Sequence, residues 1–290
     1  MAMVTHVALV PRGVKVDMSE VTQVAAALSI QIARDFTPLW GISATVAAFA
    51  KSTDVPVGYW PIYIEDPNKL PQGAGGVHLD RNNQPYALIE TGEDWSLDAS
   101  HECLEMLVDP SGNRARANPI LEQAKALGYP ERQVQYVVEA CDPVEDGQFG
   151  YQINGVLVSD FFTPQFYDPT MTSGVRYDFT GAVTGPRAVL ANGYISWLDS
   201  VTDTVMQLRN FVNPATGRVE PQIINLSEQA EFKQIVREEA LRPAIDRVTR
   251  HPDYRSGLKR DRRSQIEMAR TAVHEAAAAR ARRMEPHGVA

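Results

Sequence analysis

Hydrophobic positions change their period along the chain, and each change marks an element. Thr5–Val10 (THVALV) is apolar at successive positions until Pro11 and Gly13, which predicts a buried strand. Ser19 can cap a helix from Glu20 to about Phe36, with Val21, Val24, Ala25, Leu28, Ile32 and Phe36 on one face and Pro38 and Gly41 to stop it. Ala44–Phe49 and Val57–Ile64 predict two further strands, and Pro61 favours an edge position or a bulge for the second. Gly73–Gly76 loops into a strand at Val77–Leu79, a turn follows at Asp80–Gln84, and Tyr86–Glu90 is the fifth strand. A helix capped by Ser96 or Asp94 runs from Leu97 to Val108 and breaks at Asp109–Asn113. Residues 113–224 are turn-rich, with a strand at Gln135–Glu139 and a hairpin-like stretch at Tyr151–Val158. From Ser227 the pattern becomes helical, through the Ala/Arg-rich Met268–Met284.

These elements predict an α+β fold. Its main domain covers residues 1–224, divided into a mixed sheet with its helices (1–112) and an irregular lobe (113–224). Residues 225–290 form a helical basic appendage.

Charge sharpens that division. The 290 residues carry −8, yet residues 251–290 hold nine Lys/Arg against five acids, which leaves −12 on residues 1–250. The acidic balance argues against a nucleic-acid binder. The basic tail is expected to have a partner of its own, either the acidic main domain or an assembly partner such as another copy of the chain. Two cysteines, Cys103 and Cys141, do not make a disulfide framework. The N-terminus has no signal-peptide pattern and no run approaches the ~20 apolar residues of a membrane span, so a soluble cytoplasmic protein without a membrane partner is expected.

Chemistry concentrates in Ser100-His101-Glu102-Cys103-Leu104-Glu105, with Asp109-Pro110 behind it. On a helix, positions i and i+4 share a face, so His101 and Glu105 can point at one metal ion as the histidines of H-E-x-x-H do. Glu102, beside the first ligand, stands where a general base takes a proton from a metal-activated water. An open zinc site needs a third protein ligand. Asp109 lies about 12 Å along an ideal helix from His101 and reaches the site only if the helix unwinds. Glu139-Ala-Cys-Asp142-Pro is the better source, with Glu139 as ligand and Asp142 orienting His101 through its second ring nitrogen.

The segment resembles the active-site helix of zincin metalloproteases. It is closer to a group of bacterial and phage proteins with a Ser-His-Glu-x-x-Glu-x-x-x-Asp-Pro helix, many of which carry a downstream Glu-x-x-Asp element matching Glu139 and Asp142. The likeness covers residues 5–165. It implies a zincin-like fold, a Zn2+ ion and a metallopeptidase acting on a peptide or protein substrate laid along the strand before the helix. The chain departs from better-known zincins in having Glu105 where they have histidine, and in lacking a Met-turn or third-histidine signature. The alternative is a non-catalytic assembly protein on the same scaffold, such as a virion-associated phage particle component, using its tail for assembly.

Other candidates have plainer readings. His78 reads as a solvated strand histidine near the cleft, against a role in substrate binding. Tyr151 and Tyr167 are candidate oxyanion donors across the cleft, a role tyrosines have in several zincins, but packing is the default for both. Cys103 and Cys141 read as buried thiols, with Cys141 as a soft metal ligand the alternative. Asn82-Asn83 and Asp142–Asp146 read as solvated turns without EF-hand spacing.

Overall fold

The N-terminal apolar run forms β1 (Thr5–Pro11), with Val7 through Val10 fully buried, as a strand covered on both faces requires. The computed structural model describes residues 4–70, 75–213, 215–237 and 241–249. Helix α1 (Met18–Ile30) is capped by Asp17, whose carboxylate accepts from the Ser19 N–H, so the cap lies two residues ahead of the one expected. The helix then widens into a π-turn at Gln31–Phe36 and closes with α2 (Thr37–Trp40), which ends on Gly41 in the left-handed conformation at φ 68°. The wide turn carries Gln31 and Asp35 inward alongside Ile32 and Phe36.

Strands β2 (Ala44–Ala48), β3 (Trp60–Glu65), β4 (Gly76–Arg81) and β5 (Gln84–Glu90) complete a five-stranded sheet in the order β2-β1-β3-β5-β4. Neighbours are parallel except for β4, which runs antiparallel to β5. Asn82 and Asn83, at φ 57° and 61°, make the two-residue turn between those strands. Pro61 does not mark an edge: β3 is the central strand, and Pro61 sits near its start, ahead of the Ile62–Glu65 stretch that pairs with β5. The edge next to the following helix is β4, whereas β5, the strand immediately before that helix, is interior.

Helix α3 (Trp95–Val108) packs on β4 and β5 and is buried along most of its length. The expected irregular lobe is more regular than its turn-rich sequence implies. It contains β6 (Ala115–Pro119), α4 (Glu122–Ala126), β7 (Gln133–Val137), the hairpin β8 (Tyr151–Ile153) and β9 (Val156–Val158), then β10 (Tyr194–Asp199), β11 (Thr204–Arg209) and β12 (Gln222–Asn225). Five of these strands form an antiparallel sheet in the order β12-β11-β10-β7-β6. The molecule is α+β.

One large hydrophobic cluster joins both sheets, from Val7 and Leu9 to Trp197 and Leu208. A second, small cluster holds α5 (Ala230–Ile235) and α6 (Leu241–Thr249) through Phe232, Ala244, Ile245 and Val248 against Val137, Val205 and Leu226. The first part of the expected helical appendage therefore packs on the second sheet. Its basic stretch, including the helix expected at Met268–Met284, lies outside the described residues. Among the described residues no helix is long and apolar enough to cross a membrane.

Candidate metal centre

Helix α3 is fixed just before its chemical residues. The Ser100 hydroxyl donates to Gln31 Oε1 at 2.8 Å and accepts from the Ser159 N–H at 3.0 Å, while Gln31 Nε2 donates to the Ser159 carbonyl at 2.9 Å. All three residues are buried, so the polar turn of α1 pins α3 to the segment after β9. One turn of helix then brings His101 and Glu105 together, with Nε2 to Oε2 at 3.2 Å. Asp142, from the short turn after β7, brings Oδ1 to 3.3 Å from the same ring nitrogen. His101 Nε2, Glu105 Oε2 and Asp142 Oδ1 thus face a common point.

These separations exceed the ~2.7–2.9 Å of charge-assisted hydrogen bonds. Asp142 Oδ1 is buried with no hydrogen-bond partner. Three donor atoms of suitable chemistry, one of them otherwise unsatisfied, fit a metal ion. Burial disfavours charge on His101, but Glu105 and Asp142 beside it hold its pKa well above the usual histidine range. Burial likewise raises Glu105, yet His101 and Arg242 outweigh it and keep this carboxyl ionised well below the carboxylate range.

Glu102 points to the other side of Glu105, towards β4. His78 Nε2 donates to the Asp109 carbonyl at 3.1 Å, which leaves Nδ1 as an unpartnered lone pair 3.5 Å from Glu102 Oε2 and 3.9 Å from Glu105 Oε2. His78 is therefore not a solvated strand residue; it is 1% exposed, and burial followed by the Arg242 charge depresses its pKa well below the usual value. His78, Glu102 and Glu105 form a second grouping with metal-ligand spacing. Burial pushes the Glu102 carboxyl up to about 8, against the pull of Arg242 and His101.

Glu102 fits only because Gly76 faces it. A Cβ at Gly76 would lie 2.5 Å from Glu102 Cγ and Oε1, deep inside contact distance. Gly76→Ala is expected to cost about 1–3 kcal/mol by overpacking. Gly92→Ala, where nothing lies within 4 Å, should be near neutral. Urea midpoints of the two variants compare them directly; equal midpoints would show that Glu102 yields without cost.

The centre of the site holds a residue the sequence did not single out. Arg242 of α6, 2% exposed, reaches Glu105 Oε2 at 2.8 Å, Glu139 Oε2 at 2.8 Å, Asp246 Oδ2 at 3.0 Å and Glu102 Oε2 at 3.6 Å. Its Nη1 also donates to the His78 carbonyl at 2.8 Å. Five carboxyls (Glu102, Glu105, Glu139, Asp142, Asp246) thus share one guanidinium and two histidines. Burial drives the Glu139 and Asp142 pKa values well above the carboxylate range, in spite of Arg242 and His101 respectively. A buried acidic excess of this kind is relieved either by protonation or by a further cation.

Of the two downstream acids, the one expected to orient His101 lies beside the candidate ligand pair, and the one expected as third ligand does not. Asp142 stands at the third corner, on the same ring nitrogen as Glu105, and not behind the imidazole. Glu139 is turned to Arg242. The Asp109 carboxylate accepts from the Asn113 and Arg114 N–H groups at 3.1 and 2.8 Å, which closes the end of α3 and removes it from the ligand set. Cys141 contributes its backbone N–H, donated to Glu105 Oε1 at 3.0 Å, while its thiol lies 3.8 Å from the His101 carbonyl. Cys103 is buried away from these groups, its thiol pushed up to about 12. Tyr151 donates to Asp35 at 2.9 Å and Tyr167 packs in the core. Asp146 is buried and accepts from the Gln148 N–H, unlike a solvated turn residue.

No family model, no curated protein and no solved structure matches the chain.

Proposed function

We propose that the chain is a zincin-like, metal-dependent hydrolase, with His101, Glu105 and Asp142 as metal ligands and Glu102 as general base. The observation that carries this reading is the convergence of His101 Nε2, Glu105 Oε2 and Asp142 Oδ1 with metal-ligand spacing, Asp142 Oδ1 being buried without a well-aligned hydrogen-bond partner. The donor set, one imidazole and two carboxylates, suits Zn2+. When bound, zinc polarises a carbonyl and lowers the pKa of water to ~7. With zinc held by those three residues, Glu102 would be the carboxylate to accept a proton from the activated water, at Oε2, and its burial favours the protonated form near neutral pH. His78, oriented through Nε2 by the Asp109 carbonyl, presents Nδ1 to the same oxygen and can receive or steady the proton. The placement of α3 after five strands and a backing helix agrees with the zincin resemblance. The edge position of β4 suits an extended peptide substrate.

A second reading has one observation in its favour. The Arg242 guanidinium already offsets part of the acidic charge, as it would in a metal-free assembly protein on the same scaffold. Zinc content separates the two readings. Loaded with excess zinc and dialysed, wild type should retain about one ion per chain and hydrolyse a peptide mixture, and His101→Ala should lose both. Equal zinc in wild type and His101→Ala would remove these residues from the metal site.

A further inference from the structure

We propose that helix α6 is an autoinhibitory plug: Arg242 takes the cation's place among the site carboxylates and blocks the substrate edge, and metal loading and α6 docking exclude each other. The inference rests on the metal-site reading above and adds its regulation.

Three observations carry it. First, Arg242 engages the working atoms themselves. Nη2 lies 2.8 Å from Glu105 Oε2, the same oxygen that faces His101, and 3.6 Å from Glu102 Oε2, the atom assigned to accept a proton. A carboxylate oxygen committed to a guanidinium is a weaker ligand, and two cations at one buried oxygen repel each other.

Second, the plug covers the surface a substrate needs. β4 is the sheet edge, and an extended peptide would add to it through outward-facing backbone groups. The His78 carbonyl on that strand is taken instead by Arg242 Nη1 at 2.8 Å. With α6 in place, Glu102, Glu105, Glu139 and Asp142 are all at most 6% exposed, so no peptide reaches them.

Third, α6 is anchored at its C-terminal end, where Gln207 donates to Thr249 Oγ1 at 2.8 Å and Arg209 to the Val248 carbonyl at 3.1 Å, while its remaining apolar contacts lie outside the main core. Its apolar residues Ala244, Ile245 and Val248 belong to the small cluster with α5, outside the main core. A solvent-open pocket of about 240 Å³ lies where Pro243 and Arg247 of α6 meet Leu70, Val77, Leu79 and Leu88, so α6 is not sealed against the sheet along that side.

The test uses the full chain and zinc itself. Ile245→Asp unseats α6 while leaving every carboxylate and Arg242 intact, and Arg242→Ala removes the guanidinium directly. Zinc affinity is measured by competition with a chromophoric chelator, and hydrogen exchange is followed across residues 241–249. An equilibrium between plugged and open states lowers apparent affinity by the open fraction. Ile245→Asp is therefore expected to bind zinc at least about tenfold more tightly than wild type. Arg242→Ala, where it folds, should do the same. Zinc added to wild type should raise exchange in α6. If wild type and Ile245→Asp bind zinc with equal affinity and exchange in α6 is unchanged, the plug is wrong and the metal site stands. If none of the three proteins binds zinc, the metal-site reading itself fails, and the plug with it.

Discussion

Glu102→Gln is expected to lower zinc-dependent peptide hydrolysis by about 10²–10⁴-fold while zinc content stays at the wild-type level. The argument begins with shape. Glutamine has the volume of glutamate, so it fills the space against Gly76 and leaves β4 and α3 in register. It keeps an oxygen towards Arg242, but it cannot accept a proton from water. Glu102 is not among His101, Glu105 and Asp142, so metal retention should be untouched. Because Arg242 Nη2 lies 3.6 Å from Glu102 Oε2, the substitution also loosens the hold of α6 slightly. The comparison is therefore made at saturating zinc in the Ile245→Asp background, where that effect drops out. Full activity in Glu102→Gln would take the general-base role away. Loss of zinc along with activity would make Glu102 a ligand, through the grouping with His78 and Glu105.

Much of the first half of the molecule was legible in the sequence because its physical signals are local. The apolar run of β1, the heptad-like stripe of α1 and the short strands before α3 each sit within one window, and each appears within a few residues of where its pattern placed it. The i, i+4 pairing of His101 with Glu105 is likewise local. Of the second sheet only β7 was legible, as the strand expected at Gln135–Glu139, and the rest was missed for a reason visible in β11. Gln207 and Arg209 are buried there, satisfied by Ser196, Thr249 and the Val248 carbonyl, so inward positions carry polar residues and the period-2 pattern disappears. β6 fails differently: three of its five residues are exposed, and it has almost no apolar face to read.

Arg242 was missed, and His78 was read as solvated, because their environments are assembled from distant segments. An arginine in an Arg-rich helical stretch reads as solvated, and nothing within that stretch tells of Glu102, Glu105 and Glu139 waiting elsewhere. The one local signal was Asp246, four residues on, which pairs with Arg242 across a helical turn. For His78 the signal was the apolar Val77 beside it, in a strand covered on both faces.

Glu105→Ala should be the most destabilising single change in the site, about 3 kcal/mol, and it should abolish zinc binding. Glu105 is fully buried and partners three groups at once. Oε1 accepts from the Cys141 N–H at 3.0 Å, while Oε2 accepts from Arg242 at 2.8 Å and faces His101 at 3.2 Å. Removing one partner of a buried pair typically costs about 3–5 kcal/mol, because the remaining charge stays buried. The orphaned Cys141 N–H adds to that cost by ~1–3 kcal/mol. Two effects oppose the loss. Glu139, at 2.8 Å from Arg242 Nε, can ionise to replace part of the lost charge, and the like-charge repulsion that Glu105 exerts on Glu102, Glu139 and Asp142 is relieved. The sum falls near the lower end of the range. Glu105→Gln is the informative control: its amide oxygen can still accept from Cys141, so it should recover the backbone part of the loss but not the charge pairing. Urea unfolding of both variants, with zinc analysis beside it, measures the difference. A loss under about 1 kcal/mol in Glu105→Ala, well short of the buried-pair range, would mean that Arg242 is neutralised by its other carboxylates and that Glu105 is not the hub of the site.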